Sequence, residues 1–346
     1  MREIKIGKNE EGQKLKKFCF YYFKGVPQSF TYKMLRKKNI LLNEKKASGE
    51  EILADGDRVQ LYFAEETLDE LRKEGDARVK LPKLADYPWF TGDIVLYEDE
   101  DVLVLDKPYG VLTQKATAKD RSLNDGVIAY LLEEGTITPE SLDTFKPSVC
   151  NRLDRNTSGI VAASKSKTGA RELTKLFREV DGRTAQKMYL AVVHGKCNLK
   201  GHFDRLNYVK SRNGNQAFVW MRGGRRPKDT LKYGEPEQIW TEIYPLAYNR
   251  QKDVSLMLCR LHTGKSHQIR VTMKHYGFPV AGDPKYGDEK KNEKLDPELK
   301  GQILHSYQLR LMDGTIIKSG IPERILKYFP DAKEKADEQI RKITQG

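Results

Sequence analysis

The sequence predicts an α+β fold with a mixed sheet, preceded by a small α/β domain. The chain has 346 residues, which corresponds to about two domains at roughly 150 residues each. After residue 93, strand-like and helix-like segments alternate without a regular βα period, which favours an α+β arrangement. The charge also changes along the chain: residues 1–63 carry 14 basic and 8 acidic side chains, whereas residues 64–93 carry 5 and 8.

The composition indicates a polyanionic partner. Lys and Arg number 62 against 49 Asp and Glu, a formal net charge of +13. Such a surplus favours nucleic acid first and an anionic membrane surface second. The longest apolar runs have about six residues, whereas a membrane-spanning helix needs about 20, so no membrane segment is expected.

The N-terminal sequence and the cysteines predict a location and an assembly state. The first residues contain no apolar stretch of the kind found in signal peptides. The four cysteines form no CxxC pair, which favours the reducing cytoplasm over a disulfide framework. No sustained heptad pattern is present, so a monomer is expected.

Two basic helices are predicted within residues 1–63. Apolar residues recur at helical spacing in Lys14–Lys24. Ser29 is a suitable N-cap for a second helix over Thr31–Lys38. Strands are predicted at Ile40–Leu42 and Gly56–Leu61.

This N-terminal pattern resembles the small RNA-binding domain named after a ribosomal small-subunit protein, the S-four type. The resemblance implies that the second helix binds RNA phosphates through Lys33, Arg36, Lys37 and Lys38. A solvated charged helix would have the same pattern.

A linker is predicted at residues 64–93, which contain Pro82 and Pro88 and little apolar periodicity. The main domain is then expected over residues 94–320. A C-terminal helical extension is expected over residues 321–346.

The main domain is predicted to open with a hairpin of Ile94–Glu98 and Val102–Lys107. Further strands are expected at Met188–His194 and Asp253–Leu261. Two helices are predicted at Ser122–Glu134 and Thr168–Val180. A third is predicted to begin at the N-cap Ser266, run through Tyr276 and end at Gly277.

The segment NRLDRNTSG is a candidate active-site loop. Asp154 lies between Arg152 and Arg155, which would favour the charged carboxylate. An oriented carboxylate can act as a nucleophile or a base. A structural Asp–Arg pair that stabilises a turn is the alternative.

The segment LHTGKSHQIR places a basic face at the start of a helix, where phosphate or carboxylate groups bind well. His267, Arg270 and Lys274 share this face, with an ordinary amphipathic helix as the alternative. The Gly-Lys-Ser triplet is not a P-loop, because Cys259 occupies the position of the first glycine. A zinc site is not expected, because paired ligand spacing is absent from the candidate ligands. Those candidates are Cys259, His262, His267 and His275.

Taken together, these segments resemble the RluA-type pseudouridine synthases, which isomerise uridine in structured RNA. EDEDVLVLDKPYGVLTQ (Glu98–Gln114) resembles the opening hairpin of the family, and NRLDRNTSG (Asn151–Gly159) its H-R-L-D-x-x-T-S-G loop. KMYLAVVHG (Lys187–Gly195) matches the K-x-Y-x-A strand. Leu261–Gly287 matches L-x-T-G-R-x-H-Q-I-R and G-D-x-x-Y-G. Leu304–Ser306 stands at the Leu-His-Ala strand.

The resemblance implies a largely antiparallel sheet in the catalytic domain and a role for each matched residue. Asp154 would detach uracil as a nucleophile or by promoting elimination, and Arg270 would pair with it. Tyr189, by pattern alone a core residue, would stack on uracil or move a proton. Leu304 would form an apolar wall, and Arg152 would fill the vacated space and contact phosphate.

The same resemblance implies RNA contacts for Lys187 and His267, and no cofactor or metal. Two positions depart from the family pattern: Asn151 replaces its usual His and Lys265 its usual Arg. The substrate expected is ribosomal RNA of the large subunit, with transfer RNA as an open alternative. A noncatalytic RNA-binding protein and a zinc-dependent nucleic-acid hydrolase are the rival functions.

An insertion at residues 200–234 adds 9 basic and 2 acidic side chains. Its glycines would let the backbone approach phosphates, with Arg225 and Arg226 as contacts. A disordered basic loop is the alternative.

Overall fold

The computed structural model describes the whole chain except residues 8, 24–25, 74–80, 140, 179–185, 200, 203–204, 212–214 and 346. Within the described residues, the strands form sheets of four, ten and three strands. The ten-stranded sheet is the framework that positions the candidate site. None of the described helices is long and apolar enough to cross a membrane.

The N-terminal part contains a four-stranded antiparallel sheet in the order β1-β4-β2-β3, with two helices packed on it. Its elements are β1 (Arg2–Lys5), α1 (Leu15–Tyr22), α2 (Gln28–Arg36), β2 (Ile40–Leu42), β3 (Lys45–Lys46) and β4 (Arg58–Leu61). The predicted capping role of Ser29 is wrong. Pro27 is the N-cap residue, because its fixed φ suits the start of a helix.

The stretch predicted as a linker contains a helix and buried core residues within its described ranges. It contains α3 (Glu65–Lys73), and Leu68 is fully buried in the N-terminal core. Tyr87 and Phe90 are buried in a core of the following part. Leu68, Tyr87 and Phe90 are too widely spaced in the sequence to produce the apolar periodicity of a helix or strand. The domain limits themselves stay a prediction.

The remaining elements begin with a hairpin and a helix and end with two helices. They are β5 (Val95–Glu98), β6 (Val102–Lys107), α4 (Leu123–Glu133), β7 (Ser148–Val149), β8 (Ser158–Ser164), α5 (Lys167–Arg178), β9 (Gln186–His194), β10 (Gly201–His202), β11 (Leu206–Lys210), β12 (Ala217–Trp220), β13 (Glu237–Ile239), β14 (Thr241–Asn249), β15 (Val254–Leu261), α6 (Gln268–His275), α7 (Glu289–Leu295), β16 (Leu304–Arg310), β17 (Ile316–Lys318), α8 (Glu323–Leu326) and α9 (Ala332–Gln345).

The large sheet has the order β10-β14-β15-β9-β16-β8-β6-β5, with β7 paired to β8 and β17 to β16. Among the described pairs, β16 and β8 are parallel and the others are antiparallel. The predicted α+β class with a mixed, largely antiparallel sheet is confirmed. The predicted hairpin is the pair β5–β6, and Ser122 begins α4 with a reciprocal capping box to Asp125.

Alternating residues of the central strands feed cores on opposite faces of the sheet. In β8, Val161 and Ala163 pack with α4, whereas Ile160 and Ala162 pack with α5. Side chains of a strand alternate between the two faces of its sheet, and in β8 both faces are buried. The end of α5 predicted at Val180 lies outside the described residues. The C-terminal α9 is helical, as predicted, and its apolar side packs on β9 and β15.

Gly159 faces Ser306 in the parallel pair of β8 and β16. Its φ is +102°, and a Cβ there would lie 2.2 Å from the carbonyl oxygen of Ser306. Gly277, at the end of α6, has a φ of +83° and open space around its Cβ position.

Gly159→Ala is expected to lower the free energy of unfolding by about 3 kcal/mol or more, because backbone strain adds to a clash between strands. Gly277→Ala is the matched control and should cost about 1–2 kcal/mol, from the left-handed backbone alone. Denaturant titration of both variants measures the difference. Equal losses would show that the sheet can open at Gly159 without cost.

Candidate active site

The loop that carries Asp154 joins β7 to β8 and is tied down on both sides of that residue. Leu153 exchanges two hydrogen bonds with the Thr113 hydroxyl, at 2.7 and 3.1 Å. Asn151 donates to the carbonyl of Ile160 and accepts from the N–H of Ala162. A side-chain amide can do both at once, so Asn151 holds this loop to β8.

Lys107, at the end of β6, fastens the Lys-Pro-Tyr-Gly turn to the same loop. Its buried ammonium donates to the carbonyls of Pro108, Val111 and Arg155, at 3.0, 2.8 and 3.1 Å. Burial lowers the pKa of Lys107 to about 7, while the negative charge of Asp154 acts in the opposite direction. Lys107 therefore holds the backbone of Arg155, the residue that follows Asp154.

The C-terminal part supports the same turn from outside. The Arg324 guanidinium lies 3.9 Å from the ring centre of Tyr109 and donates to the carbonyls of Lys300 and Gly301. A Cβ on Gly301 would lie 2.4 Å from the amide nitrogen of Asn156 in the Asp154 loop. The positive φ of 73° and this close approach favour glycine at position 301, and Arg324 of α8 contacts the turn that carries Tyr109.

Arg270, buried on α6, binds two carboxylates. Its Nη1 donates to Asp154 Oδ2 at 2.5 Å, and its Nε and Nη2 donate to Asp283 at 2.7 and 2.8 Å. Burial lowers the pKa of Arg270, but its hydrogen bonds and charge interactions with both carboxylates raise it above the ordinary value. Asp283 is buried, whereas 27% of the Asp154 side chain is exposed. Asp154 is thus the carboxylate that a substrate can reach.

Asp283 is itself oriented by the turn after α6. Its Oδ1 accepts from the backbone N–H groups of Lys285 and Tyr286, at 2.8 and 3.0 Å. Burial raises the pKa of Asp283, but Arg270 and these backbone bonds bring it below the ordinary value. The anion that fixes Arg270 is therefore part of the fold.

His267 faces the second oxygen of Asp154. It is the N-cap residue of α6 with a left-handed φ of 59° and no capping side-chain bond, so the capping role predicted for Ser266 is wrong. Its Nε2 lies 3.7 Å from Asp154 Oδ1, and its Nδ1 lies 2.8 Å from the Tyr286 hydroxyl. That hydroxyl accepts from the N–H of Ala217, which favours donation of its own proton to Nδ1 and a proton on Nε2.

Tyr189 and Leu304 form an apolar wall. Tyr189 packs against the core that contains Leu153 and against a second core that contains Leu304. Its neighbours across the sheet are Ser306 on β16 and Cys259 on β15. Burial raises the pKa of Tyr189, hydrogen bonding with Ser306 lowers it and the charge of Asp154 raises it again. A neutral phenol results.

The structure places the predicted RNA-contact residues differently. Lys187 is buried and donates to the carbonyl of His262 at 3.3 Å. Its predicted RNA contact stays a prediction. His267 faces Asp154 with a largely buried side chain. The exposed members of the predicted set are Arg152, Lys33, Arg36 and Lys37.

The candidate zinc ligands have other partners. His262 stacks on Trp240 with ring centres 3.7 Å apart and lies 2.7 Å from Glu242. Cys259 is buried and His275 is exposed. Across the described ranges, no group of three or more His, Cys, Asp or Glu side chains converges as metal ligands would.

The insertion is an ordered antiparallel sheet, β12-β11-β13, within its described residues. Arg226 donates to the carbonyls of Thr230, Tyr233 and Gly234, so it organises the loop, and its predicted RNA contact stays a prediction. Arg225 is exposed. The sheet touches the site, because Tyr208 donates to the carbonyl of Ser266 at 3.1 Å.

The sequence pattern gave no role to Asp283, Tyr286 or Lys107. All three lie within the quoted motifs, Lys-Pro-Tyr-Gly and Gly-Asp-Pro-Lys-Tyr-Gly. The feature that could have indicated a role is the spacing of Asp283 and Tyr286, which lie three positions apart in a turn with a glycine at each end. Their target, Arg270, lies on a different element and is visible only after folding.

Comparison with known proteins gives a consistent result. The family model described as RNA pseudouridylate synthase matches residues 101–275. Ribosomal large subunit pseudouridine synthase C of Salmonella typhi is 31% identical over 313 residues, which include 89% of this chain and 87% of that protein. The protein of the same name from Yersinia pestis is 32% identical over 305 residues, 87% of this chain and 83% of that protein.

The fold also matches a solved structure. Human RNA pseudouridylate synthase domain containing 1 superposes with a TM-score of 0.52 at 20% identity, over 73% of this chain and 94% of that chain. This similarity bears on the fold alone.

The environment of His267 predicts a pH dependence of stability. Burial lowers the pKa of His267 to about 4, Asp154 raises it, and Arg270, Lys285 and Lys210 lower it. Unfolding restores a value near 6.5. The unfolded chain therefore binds more protons between pH 4 and 6.5, so this contribution to stability is complete above pH 6.5 and is lost as the pH falls.

Relative to His267→Asn, the wild type should lose on the order of 2 kcal/mol more stability between pH 7 and 5. Asn tolerates the left-handed backbone and does not titrate. Denaturant unfolding of both proteins at the two pH values tests this. Parallel losses would mean that His267 takes up its proton in the folded protein.

Proposed function

The chain belongs to the RNA pseudouridylate synthase family, and we propose that it isomerises specific uridines of large-subunit ribosomal RNA with Asp154 as the reacting carboxylate. The enzyme class, an isomerase that converts uridine to pseudouridine in RNA, follows from the family. Asp154 is proposed because it is the exposed carboxylate of the pair that Arg270 binds. The ribosomal substrate is proposed from the names of the relatives.

The reaction has a simple balance. The bond between ribose C1′ and uracil N1 breaks, and a bond between C1′ and C5 forms. The proton on C5 leaves and N1 gains one, so nothing is oxidised, reduced or hydrolysed. The site must supply a group that acts on the ribose, a surface that retains the free uracil and a route for one proton.

One Asp154 oxygen is bound by Arg270, and the other lies beside His267. Oδ2 accepts from Arg270, while Oδ1 has His267 Nε2 at 3.7 Å. Oδ1 can attack C1′ as a nucleophile or remove a ribose proton to promote elimination, and both routes remain open. Because Asp283 fixes Arg270, the carboxylate is oriented before RNA binds, which avoids reorganisation during the reaction.

Tyr189 is suited to retaining the detached base. The raised pKa keeps the Tyr189 hydroxyl protonated, and a protonated phenol is a weak base. This favours stacking on uracil and hydrogen-bond donation over removal of the C5 proton. Leu304 extends the same wall. A uridine in folded RNA must leave its stack to reach this wall, and Arg152, exposed on the Asp154 loop, is proposed to occupy the vacated space and contact phosphate.

RNA affinity is proposed to come from exposed cations outside the pocket. Lys33, Arg36 and Lys37 are exposed on α2, and Arg222 and Arg225 are exposed on the insertion loop. This arrangement supports RNA contacts by the N-terminal S-four-like domain and by the insertion. Transfer RNA is the alternative substrate that fractionation of labelled RNA would reveal.

Asp154→Asn is expected to reduce tritium release from RNA labelled at uridine C5 by more than about 10³-fold, as loss of a nucleophile does. Asp283→Asn should reduce it by about 10²-fold, because Arg270 and the carboxylate are displaced. Asp55→Asn, at an exposed position of the N-terminal part, is the control and should be fully active.

The Asp154→Asn variant should still fold and bind RNA. Asp283→Asn removes one carboxylate from the buried Arg270 and lowers stability, so its activity is measured under conditions in which circular dichroism shows it folded. Release by the Asp154→Asn variant at the wild-type rate would remove this residue from the chemistry. No release by any protein, with RNA binding intact, would favour the noncatalytic RNA-binding function.

Arg225→Glu should weaken RNA binding and lower the salt slope by about 1, because one phosphate contact is lost. Lys333→Glu, an exposed position on α9, is the control for net charge. Affinity measured by filter binding between 50 and 300 mM salt (about 14 to 6 Å of screening length) compares them. Identical slopes would exclude Arg225 from the RNA interface.

A further inference from the structure

Helix α5 carries a row of cations along one side. Lys167, Arg171, Lys175 and Arg178 recur at intervals of three or four residues and, with Ala170 and Thr174, line an open groove of about 820 Å³. The opposite side packs Leu173 and Leu176 into the sheet. At 1.5 Å per residue, the cations follow one another at about 5–6 Å over roughly 16 Å.

This row has an electrostatic cost in the protein alone. Like charges one turn apart on a helix destabilise it by about 0.2–0.5 kcal/mol a pair. Lys167 also stands at the first residue of α5, where the helix dipole disfavours a cation. Its ammonium is enclosed with no hydrogen-bond acceptor among the described residues. Each of these features would be offset by an anion in the groove.

The N-terminal part adds to the same cationic surface. The backbone N–H of Lys167 donates to the Asn9 side chain at 3.3 Å, so the two parts meet here. Burial lowers the pKa of Lys167, and the charges of Lys17 on α1 and Arg171 lower it further, against the opposing effect of Glu10. The N-terminal part therefore borders the row at Lys167, where Lys17 adds a positive charge and Glu10 a negative one.

The groove lies away from the candidate site. Helix α5 packs on Ile160 and Ala162 of β8, whereas Tyr189 packs with Leu153 in the core on the other face of the sheet. A ligand in the groove cannot reach Asp154 from the face that α5 covers. A ligand bound in the α5 groove would therefore contribute to RNA affinity and not to the chemistry at Asp154.

We propose that the α5 groove binds the sugar–phosphate backbone of a segment of the substrate RNA remote from the target uridine, held between α5 and the N-terminal part. RNA is favoured because the cations repeat along a line at a spacing comparable to that of successive phosphates, and because the substrate is itself a long polyanion. This inference rests on the proposed function and extends its substrate to a structured RNA long enough to contact both faces of the sheet.

The test compares Arg171→Glu/Lys175→Glu with the control Lys333→Glu/Arg341→Glu, which changes the net charge equally at exposed positions of α9. Binding is measured across salt on a long ribosomal fragment and on a short hairpin with the target uridine. On the long fragment the α5 variant should bind about tenfold more weakly than the control, with a salt slope lower by about 2. On the hairpin the two variants should be equal, and tritium release at saturating RNA should match the wild type.

Equal affinities of the two variants on the long fragment would overturn the inference, as would an equal loss on the hairpin. Wild-type tritium release from the same fragment is measured in parallel. Absence of release there would count against the proposed function, whereas normal release with unchanged α5-variant binding would count against the groove alone. If charge reversal prevents folding, Arg171→Gln/Lys175→Gln should lower the slope by the same amount.

Discussion

The interaction on which the site depends is the sharing of the Arg270 guanidinium between two carboxylates. A buried cation with one partner removed is among the most destabilising defects a protein can carry, so the fold must supply the second anion. Asp283 supplies it through a bidentate pair whose oxygens are held by the following turn. Asp154 then receives a single hydrogen bond at 2.5 Å and keeps one oxygen for the substrate.

This constraint determines how the loops are arranged around the sheet. The parallel pair of β16 and β8 places Gly159 against Ser306, so the Asp154 loop ends beside the strand that carries Leu304. A buried chain of hydrogen bonds runs from Ser158 through His305 and Ser319 to Asp106. Burial lowers the pKa of His305 to about 3, which keeps this link uncharged. Lys107, next to Asp106, donates to the carbonyl of Arg155 in the Asp154 loop.

The parts of this architecture that were predictable are those that depend on local pattern. Alternation and helical spacing gave the β5–β6 hairpin, α4 and its Ser122 cap, because each is decided by residues within one turn or strand. Side-chain environment was not predictable in the same way. Lys187 and Arg226 are basic residues whose carbonyl partners lie on neighbouring elements or across a loop, so these contacts follow only from tertiary packing. The pairing of Asp283 with Arg270 has the same origin.

The charges of the molecule divide into two populations with different physical roles. Around the candidate site, Asp154 and Asp283 are paired with the buried Arg270, so the site requires no counter-ion from the substrate to fold. The exposed cations on α2, α5 and the insertion loop have no carboxylate partner of this kind among the described residues. Screening acts strongly on these exposed charges and weakly on the buried ones. Rising salt should therefore weaken RNA affinity while leaving the geometry around Asp154 intact, which separates substrate capture from the isomerisation step.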